Sequence, residues 1–276
     1  MELYKSGSKE NYSFVTYPLH HKEHSGKEYF TRSKMESYVL VNGAMNIIFL
    51  PDRGIFTDEQ EFPTLNVVNC FDVKPDGTMI YASYFKSENK SEIRFVNDSG
   101  EDIKIFDVPF MVSSVIQSGE DILVLDRYNA KIWIYSDENL EEYFNTEELV
   151  RPNCFIKTDL GVFVGDKYHI WLLSDNSKKH KLVTLRHIEE DVEDHGKGVI
   201  SMEIVGNSII YLFESDSLYS TREIYQFNME TYETKKIITE DKTRKLNIGH
   251  GIEGFYTKGK QIIVWTEDQF SEPIDF

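Results

Sequence analysis

The stretch ILVLDRYNAKIWIYSDENLEEYF, from Ile122 to Phe144, decides the fold of this chain. It contains three apolar segments separated by two polar turns, and its Ile, Val, Trp, Tyr and Phe residues favour β-strands. A related stretch, VFVGDKYHIWLLSDNSKKHKLVTL, runs from Val162 to Leu185. Recurrence of one pattern at a steady period indicates that the chain is built from structural repeats.

The last residue of the second predicted strand gives each unit an anchor. Asp126 and Asp166 are 40 residues apart, and Ser83 lies 43 residues before Asp126. Glu214 follows Asp166 by 48 residues, and Thr266 follows Glu214 by 52. Repeats of this length are typical of β-propellers, in which each repeat forms one sheet.

Each complete unit has the signals of four strands. A strand and a tight turn precede the anchored strand, and a third strand follows it, as in EIRFV, KIWIY, HIWLL and EIYQF. Turn residues then lead to a fourth strand. The pattern predicts an all-β, six-bladed β-propeller of four-stranded antiparallel blades. A β-sandwich is the alternative, although a sandwich has no reason to repeat in register.

The chain is expected to form one propeller domain over residues 1–276. Its last unit shows two clear strands, so we expect the N-terminal segment to supply the missing outer strands and close the ring, which removes open sheet edges. The predicted blades are residues 35–62, 64–108, 110–144, 152–186, 198–239, and 250–276 together with 10–34.

The segment SGEDILVLDRYNAKIWIYSDENL, residues 118–140, resembles an NHL-type repeat, and KPDGTMIYAS with KSEIRFVNDSG resembles it too. The likeness covers about two thirds of the chain. Many unrelated six-bladed propellers share this pattern, so the resemblance implies a fold and no chemistry.

Composition narrows the classes of partner. The formal net charge of −17 argues against binding to a nucleic-acid backbone, which needs clustered Lys and Arg. The N-terminus shows no apolar run typical of a signal peptide, and no stretch is long and apolar enough to span a membrane. With two cysteines and no disulfide framework, we expect a cytoplasmic protein. We also expect a monomer with no membrane contact.

The predicted channel mouth supplies the first candidate site. Counting back 13 residues from each anchor places small or polar side chains at the rim: Cys70, Ser113, Asn153, Ser201 and Glu253. Such a rim suits a water-filled channel and also a bound ligand. Similarity to gluconolactonase-like propellers implies a divalent metal at this place, and Glu253 with Asn153 would supply oxygen ligands for calcium.

The acidic anchors have a structural interpretation. In NHL-type repeats the corresponding Asp accepts hydrogen bonds from backbone N–H groups of the next turn. We therefore expect Asp126, Asp166 and Glu214 to brace their turns.

The longest predicted link on the upper face is RHIEEDVEDHGKGV, residues 186–199. Its carboxylates could dock a basic peptide or protein segment, or could simply be solvated. They are Glu189, Glu190, Asp191, Glu193 and Asp194. His195 in this link and His250 in NIGHGIEG are the best acid/base pair that the sequence offers.

Two functions follow from these observations. The first is a non-catalytic propeller that binds a peptide or protein on an acidic upper face, since no serine-hydrolase or phosphate-loop motif occurs. The alternative is a metal-assisted hydrolase or lyase at the channel mouth, which would use Glu253 and Asn153 with His195 or His250.

Overall fold

The computed structural model describes most of the chain, in segments. The described residues are 17–24, 27–41, 44–51, 54–56, 61–74, 76–97, 99, 101–145, 148–174, 178–185, 198–214, 222–238, 252, 254–265 and 271–276. All the regular elements in these segments are β-strands, and they form six antiparallel sheets. No helix in the described part is long and apolar enough to cross a membrane.

The first sheet has five strands in the order β1-β2-β4-β5, with β3 paired to the far part of β2. Its strands are β1 (Tyr17–His24), β2 (Lys27–Val41), β3 (Ala44–Pro51), β4 (Gly54–Phe56) and β5 (Glu61–Pro63).

The next four sheets each have four strands in sequential order. The second sheet contains β6 (Cys70–Val73), β7 (Met79–Phe85), β8 (Lys90–Val96) and β9 (Asp102–Val108). The third contains β10 (Val112–Ser118), β11 (Asp121–Asp126), β12 (Lys131–Ser136) and β13 (Asn139–Asn145). The fourth contains β14 (Cys154–Thr158), β15 (Gly161–Gly165), β16 (His169–Ser174) and β17 (Lys178–Thr184). The fifth contains β18 (Gly198–Val205), β19 (Ser208–Glu214), β20 (Arg222–Asn228) and β21 (Thr234–Ile238).

The last sheet has three strands: β22 (Gly254–Lys258), β23 (Gln261–Trp265) and β24 (Ile274–Asp275). Its third strand therefore comes from the C-terminus, whereas the sequence pattern assigned residues 10–34 to this sheet. Within the described residues, β1 and β2 pair instead with each other, and Phe30 of β2 pairs with Phe56 of β4. Two strands that are joined by a two-residue connection pair with each other, which explains why β1 and β2 do not join the last sheet.

The first strands of the sheets lie side by side. β6 is next to β10, β10 to β14, β14 to β18, and β18 to β22, while β1 is next to both β22 and β6. The hydrophobic core is accordingly divided into layers between neighbouring sheets. For example, Leu123 and Ile132 of the third sheet pack in one cluster with Val164 and Leu173 of the fourth.

Four sheets share one irregularity between their third and fourth strands. The register shifts directly after a fully buried isoleucine of the third strand, at Ile93, Ile132, Ile170 and Ile224. On the fourth strand the shift skips one apolar residue that precedes another: Ile105, Tyr143, Leu182 and Ile237. Such a bulge bends the strand and increases its twist, so the repeat extends to a detail of backbone geometry.

Candidate binding surface

Two kinds of connection lie on the same face of the molecule. They are the turns between the second and third strands of each sheet and the links from each fourth strand to the next sheet. We call this face the upper face. Its described segments are 64–69, 86–89, 109–111, 127–130, 148–153 and 166–168. The corresponding connections at 186–197, 215–221, 239–251 and 266–270 lie outside the described residues.

Asp126 braces the upper turn of the third sheet. Its side chain has no exposed surface, and its Oδ1 accepts hydrogen bonds from the backbone N–H groups of Tyr128 (3.2 Å) and Asn129 (3.1 Å). Its Oδ2 accepts a bond from Asn129 Nδ2 at 2.7 Å. These contacts confirm the predicted bracing role and fix the backbone of residues 127–130.

Asp166 accepts four hydrogen bonds and is also fully buried. Its Oδ1 accepts from the N–H groups of Tyr168 (2.7 Å) and His169 (2.6 Å). Its Oδ2 accepts from Trp171 Nε1 (2.8 Å) and from the N–H of Val150 (3.2 Å). The carboxylate therefore holds the link at Val150 against the turn of the fourth sheet.

The backbone of the same turn joins a third segment. The N–H of Lys167 donates to the carbonyl of Val150 at 2.9 Å, and the N–H of Val199 donates to the carbonyl of Asp166 at 3.1 Å. Gly198 has φ +76°, and a Cβ there would lie 2.4 Å from the Cα of Lys167. Only glycine fits this close approach, so the entry to the fifth sheet is packed tightly against the turn.

The third anchor works differently. Glu214 is buried and its Oε2 accepts a hydrogen bond from Arg222 Nε at 2.7 Å. Arg222 Nη1 donates to the carbonyl of Ile252 at 3.0 Å, which ties the fifth sheet to the start of the sixth. The turn that Glu214 was predicted to brace, residues 215–221, lies outside the described residues, so that bracing stays a prediction.

Two braced segments present the residues that a partner could contact. Tyr128 is 72% exposed and Val150 is 37% exposed. Arg127 is half-buried, and Arg151 is exposed with a left-handed backbone at φ 51°. Ala130 of the turn and Leu149 of the link belong to the same hydrophobic core cluster. We call Arg127, Tyr128, Val150 and Arg151 the upper patch.

The predicted rim residues that the structure describes are engaged in the fold. Cys70 is buried in the core between the second and third sheets. Ser113 lies at a register shift of β10, with its Oγ 3.4 Å from the carbonyl of Leu125. Asn153 Nδ2 donates to the carbonyl of Val199 at 3.0 Å, so it bridges two sheets. Ser201 is half-buried and pairs with Leu212.

Side chains on the first strands also link neighbouring sheets. Asp72 Oδ2 accepts a bond from the N–H of Gln117 at 3.0 Å. Glu203 Oε2 accepts one from the N–H of Thr257 at 2.8 Å. In each case the carboxylate accepts a hydrogen bond from a backbone N–H group on the first strand of the next sheet. Both carboxylates therefore have a structural role.

The remaining predicted site residues lie outside the described residues. They are Glu189, Glu190, Asp191, Glu193, Asp194, His195, His250 and Glu253. Within the described part of the chain, no group of three or more His, Cys, Asp or Glu residues could hold a metal ion.

The upper patch was not singled out from the sequence, although a signal was present. The segment LDRYNAKI places Arg127 and Tyr128 directly after an anchor, in a turn assigned to the upper face. Val150 and Arg151 occur in a link with no such marker. The position of this link depends on the hydrogen bond from the N–H of Val150 to Asp166 and on the burial of Leu149, which spacing alone does not reveal.

An ionic cluster on the second sheet was also not foreseen. Asp102 accepts hydrogen bonds from the Tyr81 hydroxyl (2.5 Å), Arg94 Nε (2.7 Å) and the N–H of Leu65 (2.6 Å). Burial, together with the Asp102 carboxylate, raises the pKa of Tyr81 well above its ordinary value. With its donors and acceptors paired, this cluster stabilises the sheet and offers no reactive group.

No protein-family model matches the sequence, and no curated protein matches it. Solved structures do match. A propeller in the crystal structure of a nidogen/laminin complex is 11% identical, with a TM-score of 0.57 over 85% of this chain and 81% of that chain. The AfRom2 CNH domain is 10% identical, with a TM-score of 0.54 over 91% of this chain and 92% of that chain.

An acylaminoacyl peptidase from Pyrococcus horikoshii is 12% identical, with a TM-score of 0.52 over 91% of this chain. This chain spans 49% of that peptidase chain. At these identities the likeness concerns the fold alone. Together with the succession of four-stranded sheets, it confirms the predicted all-β propeller fold.

Proposed function

We propose that the chain is a non-catalytic, six-bladed propeller that binds a peptide or protein on its upper face. The observation that carries the proposal is the upper patch, whose exposed Tyr128 and Arg151 stand on segments held by buried aspartates. Tyr and Arg are enriched among residues that dominate binding energy at interfaces. A surface that is already ordered loses less entropy on binding, which favours affinity.

The six-bladed ring is part of the proposal. Its support is the succession of six sheets and the position of β1 next to both β22 and β6. The structural matches support the propeller fold on which this ring is built.

The carboxylates of residues 189–194, which we call the acidic run, are proposed as a second contact with the partner. Glu189, Glu190, Asp191, Glu193 and Asp194 would attract a basic segment of a partner, and attraction between exposed charges would weaken with salt.

Affinity capture tests the binding function. The purified protein, immobilised through an N-terminal tag, would be incubated with lysate of its host at low salt, and bound proteins would be quantified by mass spectrometry. The variant Tyr128→Ser with Val150→Ser should lose the specifically retained proteins, because it removes the apolar part of the patch. The melting temperature should stay nearly unchanged, since both side chains are substantially exposed.

Two further variants complete this test. Leu160→Ser with Tyr232→Ser removes exposed apolar side chains from turns on the opposite face and should retain every partner. Conversion of the five acidic-run residues to Asn or Gln tests the second contact. Equal capture by all variants would contradict binding on the upper face.

The metal-assisted hydrolase or lyase has weaker support. Its one described member, Asn153, uses its amide to bridge the fourth and fifth sheets. A metal that binds the native state raises the melting temperature, so calcium, magnesium, manganese and zinc should each be tested against chelator. No shift would exclude these four metals, whereas a shift abolished by Glu253→Gln would favour the alternative.

A further inference from the structure

The charge of the upper patch is opposite to that of the whole chain. The chain carries a formal net charge of −17, yet the patch contributes Arg127 and Arg151. Neither arginine forms an ion pair with a residue in the described part of the structure. Glu148 on the same link is exposed, and its neighbour Glu147 lies outside the described residues.

The nearby buried carboxylates form no ion pair with these arginines. Asp126 and Asp166 direct their oxygens at N–H donors of their own turns and links, and neither has exposed surface. Within the described part of the chain, no carboxylate pairs with Arg127 or Arg151, so these two guanidinium groups are the members of the patch that would meet an acidic partner. A planar guanidinium donates two parallel hydrogen bonds to a carboxylate, which a lysine cannot do.

The apolar members of the patch add a second requirement. Tyr128 exposes most of its ring, and Val150 lies on the neighbouring link. The partner should therefore combine carboxylates with an apolar or aromatic side chain that covers the tyrosine.

We propose that the upper patch binds an acidic peptide segment, with carboxylates at Arg127 and Arg151 and an apolar or aromatic residue against Tyr128. The inference rests on the proposed binding function and specifies the charge of the partner. It also assigns the principal contact to the arginines, and not to the acidic run at 189–194.

Selection from a displayed library of random peptides of about twelve residues tests the charge of the partner. The full-length protein should enrich peptides with net negative charge and at least one aromatic or large apolar residue. A synthetic fluorescent peptide of the enriched sequence would then be titrated by anisotropy. The double variant Arg127→Glu with Arg151→Glu should weaken its binding by about tenfold or more, because like charges repel at the interface.

Matched controls separate local from global charge. Lys235→Glu with Lys260→Glu makes the same change in net charge at exposed positions away from the patch and should preserve binding within about twofold. Arg127→Lys with Arg151→Lys keeps the charge but loses the bidentate geometry and should give an intermediate affinity. Unchanged melting temperatures would show that every variant is folded.

The outcomes distinguish the two proposals. Enriched peptides that are neutral or basic but still require Tyr128 would overturn the acidic partner and leave the binding function standing. Binding of an acidic peptide that survives the arginine reversal would also overturn the inference. Enrichment of no peptide, or of peptides indifferent to both Tyr128 and the arginines, would overturn the inference and count against the patch as a binding surface.

Discussion

Asp166 shows how one buried side chain can order several segments. Its carboxylate accepts bonds from Tyr168, His169, Trp171 and Val150 and has no contact with solvent. In Asp166→Asn one oxygen becomes an amide donor, so two of the four donors lose their acceptor. Each unsatisfied buried donor costs about 1–3 kcal/mol. We therefore expect chemical denaturation to show a loss of about 2–6 kcal/mol.

Asp137→Asn is the matched control, because Asp137 is exposed in a turn with φ 49°, a conformation that Asn also adopts readily. It should change the free energy of unfolding by less than about 0.5 kcal/mol. An equal effect of the two substitutions would contradict the role given to Asp166.

His169 gives the fold a dependence on pH. Burial lowers the pKa of His169 below its ordinary value of 6.5, although Asp166, 3.7 Å from its Nδ1, opposes the shift. The unfolded chain therefore binds a proton at a higher pH than the folded chain. Stability from this group is present above pH 6.5 and is lost as the pH falls from there through the lower, folded pKa.

Unfolding measured at several pH values between about 7.5 and 5 should accordingly show decreasing stability on acidification. His169→Gln should reduce this decrease, because glutamine does not titrate. His180→Gln, at an exposed position, should leave the decrease unchanged. A decrease identical in wild type and His169→Gln would remove His169 from the explanation.

At the scale of strands, the shared bulge has a sequence signature. A regular strand with one buried face alternates apolar and polar residues, but the fourth strands contain adjacent apolar pairs such as Ile105–Phe106 and Ile237–Ile238. The register shift skips the first member of each pair, which allows both side chains to be packed. The pairs could have predicted the bulges from the sequence.

Deletion of Ile105 tests this interpretation. Without the extra residue, either the bulge disappears or one end of β9 moves by one position, which sends its side chains to the opposite face. Asp102 would then lose its place beside Tyr81 and Arg94. We expect the deletion to cost more than about 3 kcal/mol, whereas Ile105→Ala, at a half-buried position, should cost about 1–2 kcal/mol. Urea denaturation would measure both, and equal losses would argue against a required bulge.

Sequence repetition predicted these elements well where strands were regular neighbours along the chain. The four complete units and the bracing by Asp126 and Asp166 follow from turn residues and anchors, because these are local signals. The pairing partners of β1 and β2 could not be predicted in this way, because the pattern of a strand does not specify which sheet the strand joins. Cys70 was expected at a rim and is buried in the core, because spacing fixes a position along a strand and not the direction of its side chain.

At the scale of the whole molecule, the first strands form a continuous series in which β1 lies between β22 and β6. Each core layer needs sheets on both sides, so no sheet is independent of its neighbours. The N-terminal strands therefore matter for a reason other than the one predicted from the sequence. They constitute the first two strands of a separate sheet and do not complete the last sheet.

Removal of residues 1–34 tests that position. The truncation deletes β1 and the part of β2 that pairs with it, and it exposes the sides of β6 and β22 that β1 covers. We expect aggregation or loss of a cooperative melting transition, because both flanking sheets lose a packing neighbour and expose apolar surface that was buried. Removal of residues 274–276 is the control at the other terminus. It deletes β24, which has two residues, and should lower the melting temperature while preserving cooperativity. A chain lacking residues 1–34 that melts at the wild-type temperature would show that β1 does not support its neighbours, and the ring proposed here would lose its main structural support.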